Sequence, residues 1–509
     1  MHAVSAVPCP VVPRLAAVRN LVQARQAFQA LEAWLMSEET RQLPLHEGER
    51  EQERRGREIQ RLLLEAPVAQ RGTGDVGPAV EVRAADSPGA GALHVHRRLD
   101  PRHPQTIFGE ITVERTGYGH TGAATVHPLD AQWQLPHRSC SYELQRRLVQ
   151  AAVQGPFDEA TARVAEATGL VIPKRSAEDL VQEAAWDFEA FYQTRLPPPE
   201  AATGPILIAA LDGQGVPIVK AEPARRVVRR AKGEKAQQKQ MAVVATVYTQ
   251  QPRLRGPQAV FEPRFRLGPV HCSPPAAVSP PRERPEYKRV WASLLKGKAG
   301  IMAEVVEELR RRDSARQKRW VVLTDGERAL PQSVKRRLRG VPLVLDCQHV
   351  LAKLWTAAYA FHEDGSPKAL AWVQERAWRL LHGEVSQVVQ GMRLSATTRQ
   401  LRGQKRKVVE AVAGYFSRNR GHMHYHEYLR QGWPIATGVV EGACKNVVKD
   451  RMERSGMRWT PAMAEAMLKL RAVYLSDDFE AYWAFHIARE HERLHPPGSW
   501  RPAHIIEEK

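Results

Sequence analysis

The sequence predicts an α/β protein of several domains. Apolar runs rich in β-branched residues, typical of strands, alternate with segments whose apolar residues recur every three or four positions, as in helices. The chain has 509 residues, enough for roughly three domains of about 150 residues each. Hydrophobic residues make up 43% of the chain and charged residues 26%, so a core can form and a wholly disordered chain is excluded.

Three regions are predicted before residue 196. Residues 1–91 show helical periodicity and then a linker rich in glycine, proline and alanine. Residues 92–136 contain the β-branched stretch Thr106–Arg115 followed by turn glycines, which predicts a small β module. Residues 137–195 are predicted to be helical, and the consecutive prolines after them cannot continue a helix, so a linker follows.

The helical region 137–195 has the outline of a helix-turn-helix. Its helices are predicted over residues 142–154, 157–168 and 176–192. Lys174 and Arg175 would then contact DNA, because a recognition helix presents its N-terminal end to the groove and the phosphates. The alternative is an ordinary helical hairpin that packs apolar residues such as Leu180 and Trp186 into a core.

Residues 205–353 are predicted to begin a sheet domain. Antiparallel strands are indicated over Ile206–Leu211, Val216–Val219 and Met241–Tyr248. Helical segments then lead to two further strands, Trp320–Thr324 and Val341–Leu345, and to a long helix. Beyond this part we expect a helical insertion over 354–432, the last part of the core over 433–475 and a C-terminal tail over 476–509.

Carboxylates stand at the ends of three of these strands. Asp212, Asp325 and Asp346 each directly follow an apolar run, and Glu441 lies in a later helical segment among valines. Asp212 could instead be a hairpin turn residue, and Asp325 a helix N-cap. On an α-helix Glu441, Lys445 and Lys449 would share one face, so Glu441 could also be a solvated partner of Lys445. The order of three antiparallel strands, a strand, a helix and a late acidic helix is that of a ribonuclease-H-like core, in which acids on the first and fourth strands and on the late helix converge.

Several motifs resemble one enzyme family. They are Asp212-Gly, Thr-Asp325-Gly, Asp346-Cys-Gln-His349-Val-Leu, Gly438-Val-Val-Glu441-Gly-Ala-Cys-Lys and Arg451-Met-Glu-Arg-Ser-Gly-Met-Arg-Trp459. Through them, roughly residues 105–475 resemble the bacterial insertion-sequence transposases of the ISKra type, a mutator-like branch of the DDE enzymes. The resemblance implies Asp212, Asp325 and Glu441 as the catalytic and metal-binding triad, with Asp346 and His349 as auxiliary residues.

The expected cofactor is Mg²⁺, bound as two ions, with Mn²⁺ as a substitute. Phosphodiester transfer needs an in-line attack on phosphorus, and two cations about 3.5 to 4 Å apart activate the nucleophile and stabilise the leaving oxygen. Magnesium prefers oxygen ligands, which two aspartates and one glutamate supply. One such site could both cut an element end and join its 3′-hydroxyl to a target.

The charge of the chain indicates a polyanionic partner. Lys and Arg number 75 against 56 Asp and Glu, which leaves a net charge of +19. Further DNA contacts are expected from basic residues before the third strand and beyond Glu441, namely Arg229, Arg230, Lys445, Lys449, Arg454 and Arg458. Trp459 is an auxiliary candidate for stacking on a base, with a core tryptophan as the alternative.

The sequence therefore predicts a DDE transposase that acts on double-stranded DNA, both element ends and target, as a homo-oligomer on DNA. A non-catalytic transposase-derived DNA-binding regulator and a structure-selective nuclease on the same core remain the alternatives. No apolar run approaches the roughly 18 residues of a membrane helix, and the five scattered cysteines form no CxxC pair. We expect a reduced, cytoplasmic, nucleoid-associated bacterial protein without a membrane partner.

Overall fold

The structure is a computed structural model that describes residues 15–83, 91–199, 202–219, 239–265, 284–327 and 329–503. The chain divides into two compact units, one formed by residues 1–187 with 480–509 and the other by residues 188–479. Helices and strands occur in both units, and the largest sheet contains parallel and antiparallel pairs, which confirms the α/β class. Among the described helices, none is both long and apolar enough to cross a bilayer.

The helices are α1 Leu15–Leu35, α2 Glu38–Gln42, α3 Leu45–Arg71, α4 Pro128–Trp133, α5 Tyr142–Gln154, α6 Phe157–Thr168, α7 Lys174–Ala184, α8 Phe188–Thr194, α9 Pro257–Phe265, α10 Gly297–Arg312, α11 Ala329–Arg337, α12 Cys347–Phe361, α13 Pro367–Leu381, α14 Val385–Thr398, α15 Gly403–Asn419, α16 Tyr425–Arg430, α17 Gly438–Ala443, α18 Asp450–Met452, α19 Pro461–Leu475 and α20 Phe479–Leu494. The strands are β1 Ala79–Val82, β2 Ala92–His94, β3 His96–Leu99, β4 Gln105–Thr106, β5 Gly109–Glu110, β6 Thr116–Gly119, β7 Ile206–Pro217, β8 Lys239–Gln250, β9 Glu286–Ser293, β10 Arg319–Thr324, β11 Leu343–Leu345 and β12 Trp500–Ala503.

The first unit combines helices with small antiparallel sheets. In it α1 packs against α3, while α5, α6 and α7 pack against one another. The hydroxyl of Ser141 caps α5, and Gly169, with a left-handed φ of 74°, ends α6. The predicted helix 176–192 is wrong in its bounds: α7 starts directly after Pro173 and ends at Ala184, before Trp186. The Trp186 side chain is 62% exposed, so it does not serve as a core residue.

The second unit is built on a five-stranded sheet in the order β11-β10-β7-β8-β9. Strand β8 is antiparallel to both β7 and β9. Strand β10 runs parallel to β7 on one side and to β11 on the other. Helix α10 packs on β8, and α19 packs on β9. The segment 354–432 is helical apart from its turns, from the later part of α12 through α16.

The predicted strand Met241–Tyr248 is confirmed as part of β8, but the division of the preceding segment into two strands is wrong. The first two predicted strands form one strand, β7, which pairs with β8 from Ile206 through Pro217. A hairpin at Asp212 and Gly213 would have broken this ladder, and the continuous strand keeps its backbone hydrogen bonds. The third antiparallel strand is β9, within a stretch that was predicted to be helical. Asp212 therefore lies inside a strand rather than at a turn.

A buried ionic cluster lies under the sheet of the second unit. Glu308 of α10 is 1% exposed, and its carboxylate accepts hydrogen bonds at 2.6 Å from Arg289 of β9 and from Arg312. Burial raises the pKa of Glu308, but the charges of the neighbouring arginines dominate and hold that pKa well below its usual range. The cluster ties α10 to the sheet.

Candidate active site

Three aspartates stand at one level of the mixed sheet. Asp212 and Asp325 each lie two residues beyond the paired residues Ala210 and Leu323 of β7 and β10. Asp346 directly follows β11 at the level of Asp325, since the last residues of β10 and β11 are paired. Because parallel strands keep paired positions on the same face, the register alone brings these carboxylates to one end of the sheet.

Asp212 and Asp325 line a common cavity that is partly open to solvent. Lys298, Met302 and Glu327 are among its other lining residues. Both aspartates are partly buried. Two acids of the predicted triad are thus brought together.

The third acid, Glu441, is delivered by α17, which packs against β7 and β8. From Cys444 to Lys449 the helix continues as a π-helix, a form that is frequent at functional sites. The Sγ of Cys444 lies 3.4 Å from Oδ2 of Asp212 and donates a hydrogen bond to it. Burial, and then the negative charge of Asp212, raise the pKa of the Cys444 thiol, which therefore remains protonated as the donor.

Thr437 positions the Glu441 side chain. Its Oγ1 donates to Oε1 of Glu441 at 2.8 Å, and the Glu441 amide donates to the Thr437 carbonyl at 3.0 Å. Thr437 is 3% exposed. Its own amide donates to Oδ1 of Asp346 at 3.2 Å. A continuous path of hydrogen bonds therefore connects the end of β11 to the third acid.

Asp346 is the centre of this network. Its side chain is fully buried and accepts from the amides of Gln348 and His349 at 3.1 and 3.2 Å, from Nδ1 of His349 at 2.5 Å and from Thr437. Burial opposes ionisation, but the hydrogen bonds from His349 and Gln348 hold the pKa of Asp346 below its usual range. In return, the hydrogen bond to Asp346 raises the pKa of His349, and the charges of Asp325 and Glu441 add to this effect.

Ligand atoms of Asp346, His349 and Glu441 lie within 4.8 Å of one another, as a metal site would require. The hydrogen bonds of these residues argue against a metal-binding site formed by the three together. Both oxygens of Asp346 already accept two donors each, and Nδ1 of His349 is one of those donors. Magnesium prefers oxygen ligands, which carboxylates such as those of Asp212, Asp325 and Glu441 supply.

The turn after β10 is packed against the helical insertion. The hydroxyl of Tyr415, on α15, donates to the carbonyl of Asp325 at 2.6 Å. Gly326 has φ +87°, and a Cβ there would lie 2.6 Å from the Tyr415 hydroxyl oxygen. A glycine is required at this position for both reasons.

The basic residues beyond Glu441 are exposed, namely Lys445, Lys449, Arg454 and Arg458. The π-helical turn means that the α-helical spacing used to place Lys449 on the same face as Glu441 does not hold. Trp459 is 4% exposed, and its indole donates to the carbonyl of Met452 at 2.9 Å. The side chain of Trp459 is a core residue, so it presents no face to a DNA base.

The predicted helix-turn-helix contacts lie at the start of α7. Lys174 and Arg175 are exposed, and they pair with acids of their own unit, Lys174 with Asp158 at 2.9 Å and Arg175 with Asp179 at 3.3 Å. The predicted contacts Arg229 and Arg230 lie outside the described residues.

Four residues near the acids were not predicted as site residues: Lys298, Tyr415, Thr437 and Cys444. Thr437 and Cys444 flank Glu441 in the sequence, so their proximity to it could have been considered. Lys298 and Tyr415 carry no local signal, because they reach the acids only through the packing of α10 and α15.

Comparison of the sequence with protein-family models and with curated proteins finds no match. The functional conclusion therefore depends on the geometry of the site.

Proposed function

We propose that this chain is a DDE-type DNA transposase, which cuts DNA and joins the freed 3′ end to a target in a metal-dependent reaction. The observation that carries the proposal is the single cavity shared by Asp212 and Asp325 on adjacent parallel strands. The helix bearing Glu441 is held beside it by the hydrogen bond of Cys444 to Asp212. Paired carboxylates at one sheet end are the arrangement that metal-dependent phosphodiester transfer uses.

The sheet topology supports a ribonuclease-H-like core. Strands β7, β8 and β9 are successive and antiparallel, while β10 and β11 run parallel to β7 on its other side. The helices α12 to α16 separate β11 from the helix that carries Glu441. This order fits a catalytic core interrupted by a helical insertion before its third acid.

The chemistry follows from the donor set. Asp212, Asp325 and Glu441 would hold divalent cations, which supply charge stabilisation and lower the pKa of a bound water. The residues around them set the geometry: Thr437 orients Glu441, and Cys444 orients Asp212. The buried Asp346 anchors the amide of Thr437.

DNA recognition is assigned in this proposal to the α5–α7 region, with Lys174 and Arg175 as contacts. Both side chains are more than half exposed, and their present acidic partners are exposed or partly so, which lets phosphates replace them. Two element ends must be joined in one event, so we expect two or more copies of the chain on DNA.

The test is incubation of the purified chain with linear DNA bearing candidate element ends, a target plasmid and Mg²⁺. Joined products support a transposase, cleavage without joining supports the nuclease alternative, and sequence-selective binding without cleavage supports the regulator. Asp325→Asn should abolish cleavage and leave DNA binding nearly intact, because affinity depends on distributed cations. Asp364→Asn, at an exposed turn of the helical insertion, is the matched control and should cleave normally.

A further inference from the structure

The cavity lined by Asp212 and Asp325 is also lined by a positively charged side chain. Lys298 is the second residue of α10, and its side chain lines the cavity together with both acids. Its ammonium group pairs with the carboxylate of Glu327, and both side chains stay substantially exposed, at 55% and 41%. An exposed pair of this kind contributes little to stability, so its dissociation costs little.

The turn after β10 positions the carboxylate with which Lys298 pairs. The amide of Glu327 donates to Oδ1 of Asp325 at 2.9 Å, so the turn that positions the second acid also positions the partner of Lys298. One acid of the cavity and the resting partner of Lys298 are therefore separated by a single residue. Lys298 therefore lines the cavity while its ion pair with Glu327 remains exposed to solvent.

We propose that Lys298 leaves Glu327 and contacts a non-bridging oxygen of the scissile phosphate. This inference rests on the proposed function and adds a catalytic residue to it. In the reaction, the nucleophile oxygen forms a bond to phosphorus and loses its proton, while the P–O3′ bond breaks and its electron pair stays on O3′, which takes up a proton. Lys298 makes or breaks no bond.

Charge balance shows what the ammonium contributes. Three carboxylates, two divalent cations and one phosphodiester sum to zero net charge. In the transition state the attacking oxygen adds negative charge to the phosphoryl oxygens. A cation that contacts those oxygens stabilises the transition state more than the ground state, which is the condition for a faster reaction.

The experiment compares the rates at which the unaltered chain and its variants cleave a DNA duplex in Mg²⁺ under single-turnover conditions. The cut site in this duplex is first mapped with the unaltered chain. Lys298→Met should lower the rate by about 100-fold to 1,000-fold, the usual effect of removing one group that stabilises transition-state charge. Lys298→Arg should recover most of that loss, because the charge is kept. Lys368→Met is the matched control, since Lys368 is likewise the exposed second residue of a long helix, α13.

Glu327→Gln separates the proposed role from a structural one. It breaks the ion pair and leaves the ammonium free, so Glu327→Gln should cleave DNA much faster than Lys298→Met. If Lys298 serves only to hold the turn after β10, Glu327→Gln and Lys298→Met will lose activity equally, and the inference fails.

A binding measurement gives a second readout that does not depend on cleavage. With Ca²⁺ in place of Mg²⁺, replacing the scissile phosphate by a neutral methylphosphonate should weaken binding to the unaltered chain by about tenfold, roughly the worth of one charged contact. The same replacement should weaken binding to Lys298→Met less, because the Lys298 contact is already absent there. An equal penalty in both proteins would overturn the inference and leave the proposed function standing. If the unaltered chain cuts no DNA at all, both fall.

Discussion

Replacement of Asp346 distinguishes an anchor from a metal ligand. Asp346→Ala removes the acceptor of four hydrogen bonds from a fully buried position, including the N-cap of α12. Loss of an N-cap costs about 0.5 to 2 kcal/mol, and a buried amide left unpaired, here that of Thr437, costs about 1 to 3 kcal/mol. We therefore expect Asp346→Ala to lower the free energy of unfolding by about 2 to 5 kcal/mol.

Asp346→Asn should be milder. Asparagine is as good an N-cap as aspartate, and its oxygen can keep the amides of Gln348 and Thr437. His349 can accept from the new amide through the other tautomer, so the expected loss is about 1 to 2 kcal/mol. The measurement is chemical denaturation of the full chain followed by tryptophan fluorescence.

Metal titration completes the comparison. If Asp346 is an anchor, Asp346→Asn keeps its affinity for Mn²⁺ within about threefold, whereas Asp325→Asn loses far more because a ligating charge is gone. The reasoning is refuted if Asp346→Asn keeps full stability but loses metal binding as Asp325→Asn does. Asp346 would then be a ligand, and its hydrogen bonds to His349 and Thr437 would have to open when the ion binds.

Three further outcomes are expected. Thr437→Val should slow cleavage by about tenfold, since it deletes one hydrogen bond to the carboxylate of Glu441, while Thr437→Ser restores the rate; equal rates for both variants would exclude the positioning role. Glu308→Gln should destabilise the chain by about 3 to 5 kcal/mol at neutral pH. Because the folded pKa of Glu308 is depressed, that stabilisation is complete above the usual value of 4.5 and is lost as pH falls below it, so the difference in melting temperature between variant and unaltered chain should shrink in acid. Lys445→Ala with Lys449→Ala should make the salt dependence of DNA binding shallower by about 2 units, or about 0.9 per phosphate contact; an unchanged slope would mark both as solvated side chains.

Local chemistry in the sequence predicted some elements closely. Helices α5 and α6 have the predicted bounds because a serine cap, glycines and a proline mark their ends directly. Strand β10 and the position of Asp346 before a helix were likewise predictable, since apolar runs end there in polar residues. The sequence alone therefore indicated these acids as candidate site residues.

Features that depend on contacts between residues far apart in the sequence could not be predicted from it. The polar stretch after Leu211 reads locally as a turn, and only pairing with β8, beyond a long connection, keeps β7 extended. The π-helical turn after Glu441 has no sequence signature, so α-helical spacing misplaced the lysines. Trp186, a core residue in the helical-hairpin alternative, is exposed, whereas Trp459 is buried as in the core alternative, because burial is decided by which helices pack and not by residue type.

The position of Asp212 inside β7 gives the three acids unequal local stability. Its strand is hydrogen-bonded to β8 well beyond it on either side, whereas Asp325 lies in a turn and Glu441 lies on a helix interrupted by a π-helical turn. Amide deuterium exchange near Asp212 should therefore require opening of the whole sheet, while residues 325–327 and 438–449 should exchange through local fluctuations. Ion binding should slow exchange in those two segments and leave β7 unchanged. The cation would thus meet one fixed ligand first and recruit the other two as their segments become ordered.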